Sequence, residues 1–164
     1  MYNFKIKTYL QIIFLISLIS IFSAYFIEYI LGHQPCNLCL IERIPYGLSV
    51  FLLILNYILR KNEKFIILLL ILIFAFSFII STYHFAIEQG FVEESAVCGL
   101  QNNSAIISKD ELLKQLQLKT ISCKDVTFRI FGFSLTTINI MISLFLVIMS
   151  IKVYKNYEKL KKKS

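Results

Sequence analysis

Four stretches of this chain run without a charge over lengths set by a lipid bilayer. Thr8 to Ile27 is 20 residues long, Phe65 to Ile87 is 23 and Ile130 to Ile151 is 22. A helix rises about 1.5 Å per residue, so each can cross a hydrocarbon core of about 30 Å. Ile44 to Leu59 has only 16, between Arg43 and Arg60. Its helical length is roughly 24 Å, and the aliphatic stems of the two arginines extend it to the interfaces. Backbone polar groups in lipid must be paired within the chain, which leaves helices or a closed barrel. Barrel strands alternate over about ten residues, and these stretches do not alternate. With 57% hydrophobic residues and a mean hydropathy of +0.72, a soluble core of this size is excluded. The expected fold is an all-α membrane protein, one four-helix transmembrane bundle over residues 1–164, with spans at 8–27, 44–59, 65–87 and 130–151. The first stretch follows two lysines, as a signal peptide does. Its length and the absence of a small-x-small cleavage site mark it as a retained span.

Charge gives the expected orientation. Lys5 and Lys7 precede span one, and Arg60, Lys61 and Lys64 fall between spans two and three. Lys152, Lys155, Lys159, Lys161, Lys162 and Lys163 follow span four. These are eleven of the 17 basic residues, accompanied by only Glu63 and Glu158 as acids. The positive-inside rule puts both termini and the 60–64 turn in the cytoplasm, so that loops 28–43 and 88–129 face outward. The net charge of +7 is then a topology signal, with the lysine-rich tail lying on anionic headgroups. No nucleic-acid partner is implied.

All four cysteines fall in the outward loops. Cys36 and Cys39 form a CxxC directly after Pro35, which biases the chain to start a helical turn at or just after Cys36. Arg43 then lies one turn below Cys39 on the same face, and Pro45 either kinks that helix or marks the start of span two. Cys98 and Cys123 sit in the longest polar segment. Within it Ser108-Lys109-Asp110-Glu111 reads as a capping box, and Leu112, Leu113 and Leu116 form one apolar stripe. A short amphipathic helix on the membrane surface is expected, holding Cys98 and Cys123 near the bilayer while leaving them movable.

Four cysteines allow three pairings. A zinc site of four cysteines brings two closely spaced pairs, and here the second pair is split by 24 residues; no metal is expected. Structural disulfides suit an oxidising compartment. A disulfide closing so short a loop as the CxxC stabilises little, however, and a helix N-terminus favours the reactive thiolate. A redox role needs an electron acceptor. There is no GxGxxG for a nucleotide and no CxxCH for haem. A lipid-soluble quinone, met at the outer interface, needs no dedicated binding fold. Arg43 and His84 fall at that level. A cation there would stabilise a Cys39 thiolate and the charge developing on a quinone oxygen. Asn56 and Asn139 lie inside spans, where helix–helix hydrogen bonds are their expected work.

These residues resemble the DsbB-type disulfide bond formation proteins, bacterial inner-membrane thiol:quinone oxidoreductases. Pro35-Cys36-Asn37-Leu38-Cys39-Leu40-Ile41-Glu42-Arg43 is similar to the family's P-C-x-x-C-x-x-E-R. Thr82-Tyr83-His84 matches a histidine near the outer end of helix three. Cys98-Gly99 follows, then Cys123-Lys124-Asp125 and Phe131-Gly132-Phe133-Ser134-Leu135 with Asn139, all in family order. Phe128 stands where the family often has a Trp. The resemblance implies a relay. A reduced DsbA-like thioredoxin-fold partner attacks a Cys98–Cys123 disulfide at Cys98, and Cys123 exchanges with the CxxC at Cys36. Cys39 becomes the thiolate facing the quinone, ubiquinone or menaquinone. Arg43, with Glu42 and His84, is expected at the quinone. Two rivals remain. A VKOR-like quinone reductase carries its CxxC after the loop pair, whereas here it comes first. A membrane adaptor with inert disulfides would not exchange with a redox buffer.

Overall fold

The structure, a computed structural model, describes residues 2–59, 63–93, 98, 123–124, 129–130 and 132–162. Four helices dominate it: α1 (Tyr2–Tyr29), α2 (Asn37–Leu59), α3 (Glu63–Glu88) and α4 (Leu135–Lys161). Each contains a segment long and apolar enough to cross a membrane: Ile6–Tyr29, Asn37–Ile58, Glu63–Glu88 and Leu135–Lys159. The expected all-α four-helix bundle is the observed architecture. Helix α3 packs on α4 and α2, and α1 on α2 and α4. Ion pairs and hydrogen bonds fix the senses. Lys64 at the start of α3 meets Glu158 near the end of α4, and Arg43 near the start of α2 meets Glu28 at the end of α1. The chain therefore runs up, down, up and down. The start of α1 and the end of α4 share one end of the bundle, and the cysteines share the other.

Two apolar clusters divide the interior. The larger gathers Ile13 of α1, Tyr46 and Leu53 of α2, Ile67, Leu70 and Phe74 of α3, and Leu146 and Val153 of α4. Ser17, Ser49, Ser77, Ser81, Ser143 and Ser150 are buried between the helices. Small side chains let helix backbones approach closely where lipid offers no hydrophobic drive for association. Ser143 and Ser150 return their hydroxyls to carbonyls of their own helix. Large apolar residues such as Phe22, Phe51, Phe76 and Phe145 point outward, as a lipid-facing surface requires. The second cluster, at the cysteine end, holds Cys36, Leu38, Ile87, Cys98 and Cys123, with Cys39, Ile41 and Ile80 packed against it.

The helix ends depart from the edges of the apolar stretches, for local reasons. Helix α1 ends at Tyr29; beyond it Gly32, with a φ of 72°, lets the chain reverse while the His33 amide closes on the Ile27 carbonyl at 3.2 Å, a Schellman-like end. Helix α2 starts at Asn37, just after Cys36 as expected and ahead of the apolar stretch, and Pro45 sits inside it. Cys36 caps this start. Its carbonyl accepts from the Leu40 amide at 3.2 Å, and its sulfur accepts from the Cys39 amide, also at 3.2 Å. Helix α4 starts at Leu135 instead of Ile130. The residues before it form β1 (Arg129–Ile130) and β2 (Phe133–Ser134), an antiparallel pair with Arg129 opposite Ser134. Gly132 takes φ 86° between them, and Ser134 caps α4 by accepting from the Thr137 amide at 3.3 Å. The amphipathic helix expected around Ser108–Leu116 lies outside the described residues, as do Gly99, Asp125, Phe128 and Phe131.

Candidate active site

The CxxC closes as a Cys36–Cys39 disulfide at the N-terminus of α2, its Cα atoms 5.1 Å apart. Helix α3 supplies His84, which is 3% exposed. Its Nε2 lies 3.6 Å from the Cys36 sulfur. On the other side of the ring, Nδ1 lies 3.0 Å from Glu42 Oε1. If Glu42 is ionised it can only accept, and the ring proton then sits on Nδ1 with the Nε2 lone pair toward the sulfur. Glu42 is placed two turns inside α2 from the cap, on the face that meets α3 and α4.

Helix α4 holds this carboxylate in place. Asn139 Nδ2 donates to Glu42 Oε2 at 2.8 Å and to Ser81 Oγ at 2.7 Å. The Tyr46 hydroxyl donates to Asn139 Oδ1. A chain of contacts thus runs from Tyr46 through Asn139, Glu42 and His84 to the Cys36 sulfur, and it ties α2, α3 and α4 together. Buried polar groups in so apolar a setting are costly unless each finds a partner, and these do. Chemically, a sulfur released by reduction would face a basic nitrogen whose opposite side rests on a carboxylate. Such an arrangement can take up and hand on a proton.

A cavity of about 330 Å³ opens beside the disulfide. Ile19, Ala24 and Ile27 of α1 and Ile138 and Ile142 of α4 give it apolar walls. Cys36, Cys39, His84 and Glu42 line its reactive side, and Cys123 reaches it too. Arg43 stands at its edge. The guanidinium is paired with Glu28 of α1 and lies 5.1 Å from the centre of the Tyr25 ring. It is therefore fixed on the α1 side of the cavity.

Cys98 and Cys123 form the second disulfide, with Cα atoms 5.4 Å apart. Both sulfurs are covered, at 1% and 4% exposure, and they belong to the same apolar cluster as Cys36 and Cys39. The structure thus gathers all four cysteines, Arg43, His84 and Glu42 at one end of the bundle. Sequence reasoning placed Arg43 with Cys39 and His84 at the same level. It did not foresee that His84 meets Cys36, or that Asn139, Ser81 and Tyr46 support Glu42. It also missed Glu28 and Tyr25 as the partners of Arg43. Charge at the end of α1 was the available signal for Glu28; nothing local pointed to Tyr46.

The chain has relatives among known proteins. The family model described as "Disulfide bond formation protein DsbB" matches residues 6–153. An uncharacterized protein of Rickettsia prowazekii (strain Madrid E) is 32% identical over 140 residues, covering 81% of this chain and 78% of that one. No solved structure matches the chain.

Proposed function

The chain belongs to the DsbB family of disulfide bond formation proteins, and from that premise we propose that it is a thiol:quinone oxidoreductase. It reoxidises a soluble, periplasmic, DsbA-like dithiol oxidase and passes two electrons to ubiquinone or menaquinone in the bacterial inner membrane. The cysteine end faces the periplasm, and both termini face the cytoplasm. The observation that carries this reading is the cavity: Cys36, Cys39 and Cys123 all line one apolar-walled space, so the two disulfides and a lipid-soluble acceptor can meet there.

Each exchange is a thiolate attacking a disulfide sulfur. A partner thiolate attacks Cys98, forming a mixed disulfide and releasing the Cys123 thiolate. Because Cys98 is buried, this first attack requires the sulfur to be uncovered. Cys123 then attacks Cys36, forming a Cys36–Cys123 bond and releasing the Cys39 thiolate; the partner's second thiolate displaces Cys98 and leaves as a disulfide, and Cys98 attacks Cys123, which regenerates their disulfide and leaves Cys36 and Cys39 reduced. Quinone takes two electrons and two protons from that pair, and the Cys36–Cys39 disulfide re-forms. His84 is suited to take the Cys36 proton, Glu42 supports the imidazolium so formed, and Arg43 offers a cation to the developing quinol oxygen.

The test is quinone reduction by the purified protein in lipid, supplied with a reduced thioredoxin-fold dithiol oxidase. Turnover is expected in the natural chain. Cys39→Ser should abolish it, while Cys98 still traps the partner as a mixed disulfide. Failure with both ubiquinone and menaquinone would return both disulfides to a structural role.

A further inference from the structure

The Cys36 sulfur, the Cys39 sulfur and His84 Nε2 lie within 4.8 Å of one another. In a tetrahedral zinc site, Zn–S is about 2.3 Å and Zn–N about 2.0–2.1 Å, which sets the sulfur–nitrogen separation at about 3.6 Å. The observed Cys36–His84 separation is 3.6 Å. Metal-bound histidines characteristically give their second ring N–H to a carboxylate, which fixes the tautomer. His84 does this already, through Nδ1 to Glu42 at 3.0 Å, and Glu42 is itself held by Asn139. Both ligand types and the supporting carboxylate are therefore in place, and only the bond between the two sulfurs stands in the way.

We infer that the reduced CxxC, with His84, is a binding site for one thiophilic divalent cation such as Zn²⁺, and that the disulfide form is not. Two thiols and a neutral imidazole bind the cation, two protons leave, and no electrons move. Two thiolates and one histidine leave a fourth position free, as in zinc sites that bind a small ligand; here that position faces the cavity. A cation so bound ties up both thiolates, so it blocks return to the disulfide. Thiophilic metals would act as redox-gated inhibitors that capture the enzyme between its two half-reactions. The inference rests on the proposed function only for the occasion on which the pair becomes reduced.

The site is tested without quinone or partner. The full chain carrying Cys98→Ser and Cys123→Ser, in detergent micelles, is reduced with a phosphine, freed of reductant and titrated with Co²⁺. One equivalent should bind, with thiolate-to-metal charge-transfer absorption and the visible bands of a tetrahedral ion, and Zn²⁺ should displace it. The oxidised form should bind none. Glu42→Gln should weaken binding 10–100-fold, and His84→Ala by at least as much. Equal binding by the oxidised form would overturn the inference. So would a silent titration of protein shown by thiol count to be reduced, or unchanged affinity in both variants. Both variants must keep two countable thiols that reoxidise to a disulfide, which separates lost affinity from lost fold. Metal binding without quinone turnover would uphold this site and sink the proposed function; turnover without metal binding would do the reverse.

Discussion

Asn139 donates to both Glu42 and Ser81 and accepts from Tyr46, so one amide on α4 satisfies groups on two other helices. Asn139→Leu leaves Glu42 Oε2 and the Tyr46 hydroxyl without this partner in an apolar interior. An unsatisfied buried group costs about 1–3 kcal/mol, and a lowered unfolding midpoint in detergent is expected. Asn56 is the contrast. Its buried Oδ1 has no partner among the described residues, so Asn56→Leu should be neutral or stabilising in the same assay. If both variants behaved alike, the network would not be what holds Glu42. Arg43 makes a separate prediction: Arg43→Ala should raise the quinone KM while leaving the mixed disulfide with the partner intact. An unchanged KM would reduce Arg43 to an anchor between α1 and α2. At this scale the sequence was legible in which residues share one end of the bundle: the cysteines, Arg43 and His84. It marked Asn139 as a helix–helix hydrogen bonder without naming the partners it finds far along the chain. Nothing near Glu42 announces Asn139, and the two meet only because α2 and α4 pack side by side.

Helix ends are decided by one or two residues, whereas apolar stretches mark only the part of a helix that lipid covers. That is why the four blocks located four helices without marking where α2 and α4 begin. Cys36, acting as a cap through its sulfur and carbonyl, carries α2 beyond Arg43, because snorkelling and charged residues are compatible with helix outside the hydrocarbon. Gly132 and Ser134 do the opposite, holding Ile130 and Phe133 out of α4 although both are apolar. The Ser134-to-Thr137 spacing was a readable capping signal, hidden by the apolar run around it. Gly132→Ala places an L side chain at φ 86° with open space around its Cβ, so the penalty is backbone strain alone, about 1–2 kcal/mol. Ser134→Ala removes a cap worth about 1 kcal/mol. Both should lower the unfolding midpoint. Gly47→Ala, inside α2 and equally open, should not. A destabilised Gly47→Ala would mean that something other than backbone conformation governs these glycines.

The two ends of the bundle differ in their chemistry. Lys64 pairs with Glu158 at the end shared by α3 and α4 and lies 5.7 Å from the centre of the Tyr154 ring, and the sequence places most of its lysines at this end. The disulfides sit at the opposite end. A disulfide persists in an oxidising compartment and is reduced in the cytosol, so the charge pattern and the sulfur chemistry must agree on sidedness or the proposed relay fails. They agree if the lysine-rich end is cytoplasmic. Intact cells settle the matter by labelling. After mild reduction, a membrane-impermeant maleimide added from the periplasmic side should modify the natural cysteines. In a chain whose four cysteines are changed to Ser, Ser164→Cys should react only after lysis. Protection of the natural cysteines with free labelling of Ser164→Cys would place the CxxC in the reducing compartment. Its disulfide would then be a short-lived intermediate, and electrons would run from quinol toward protein disulfides. That outcome would turn the proposed oxidase into a reductase while leaving every distance in the site unchanged, because the direction of electron flow comes from the two compartments and the quinone pool and not from the geometry of the bundle.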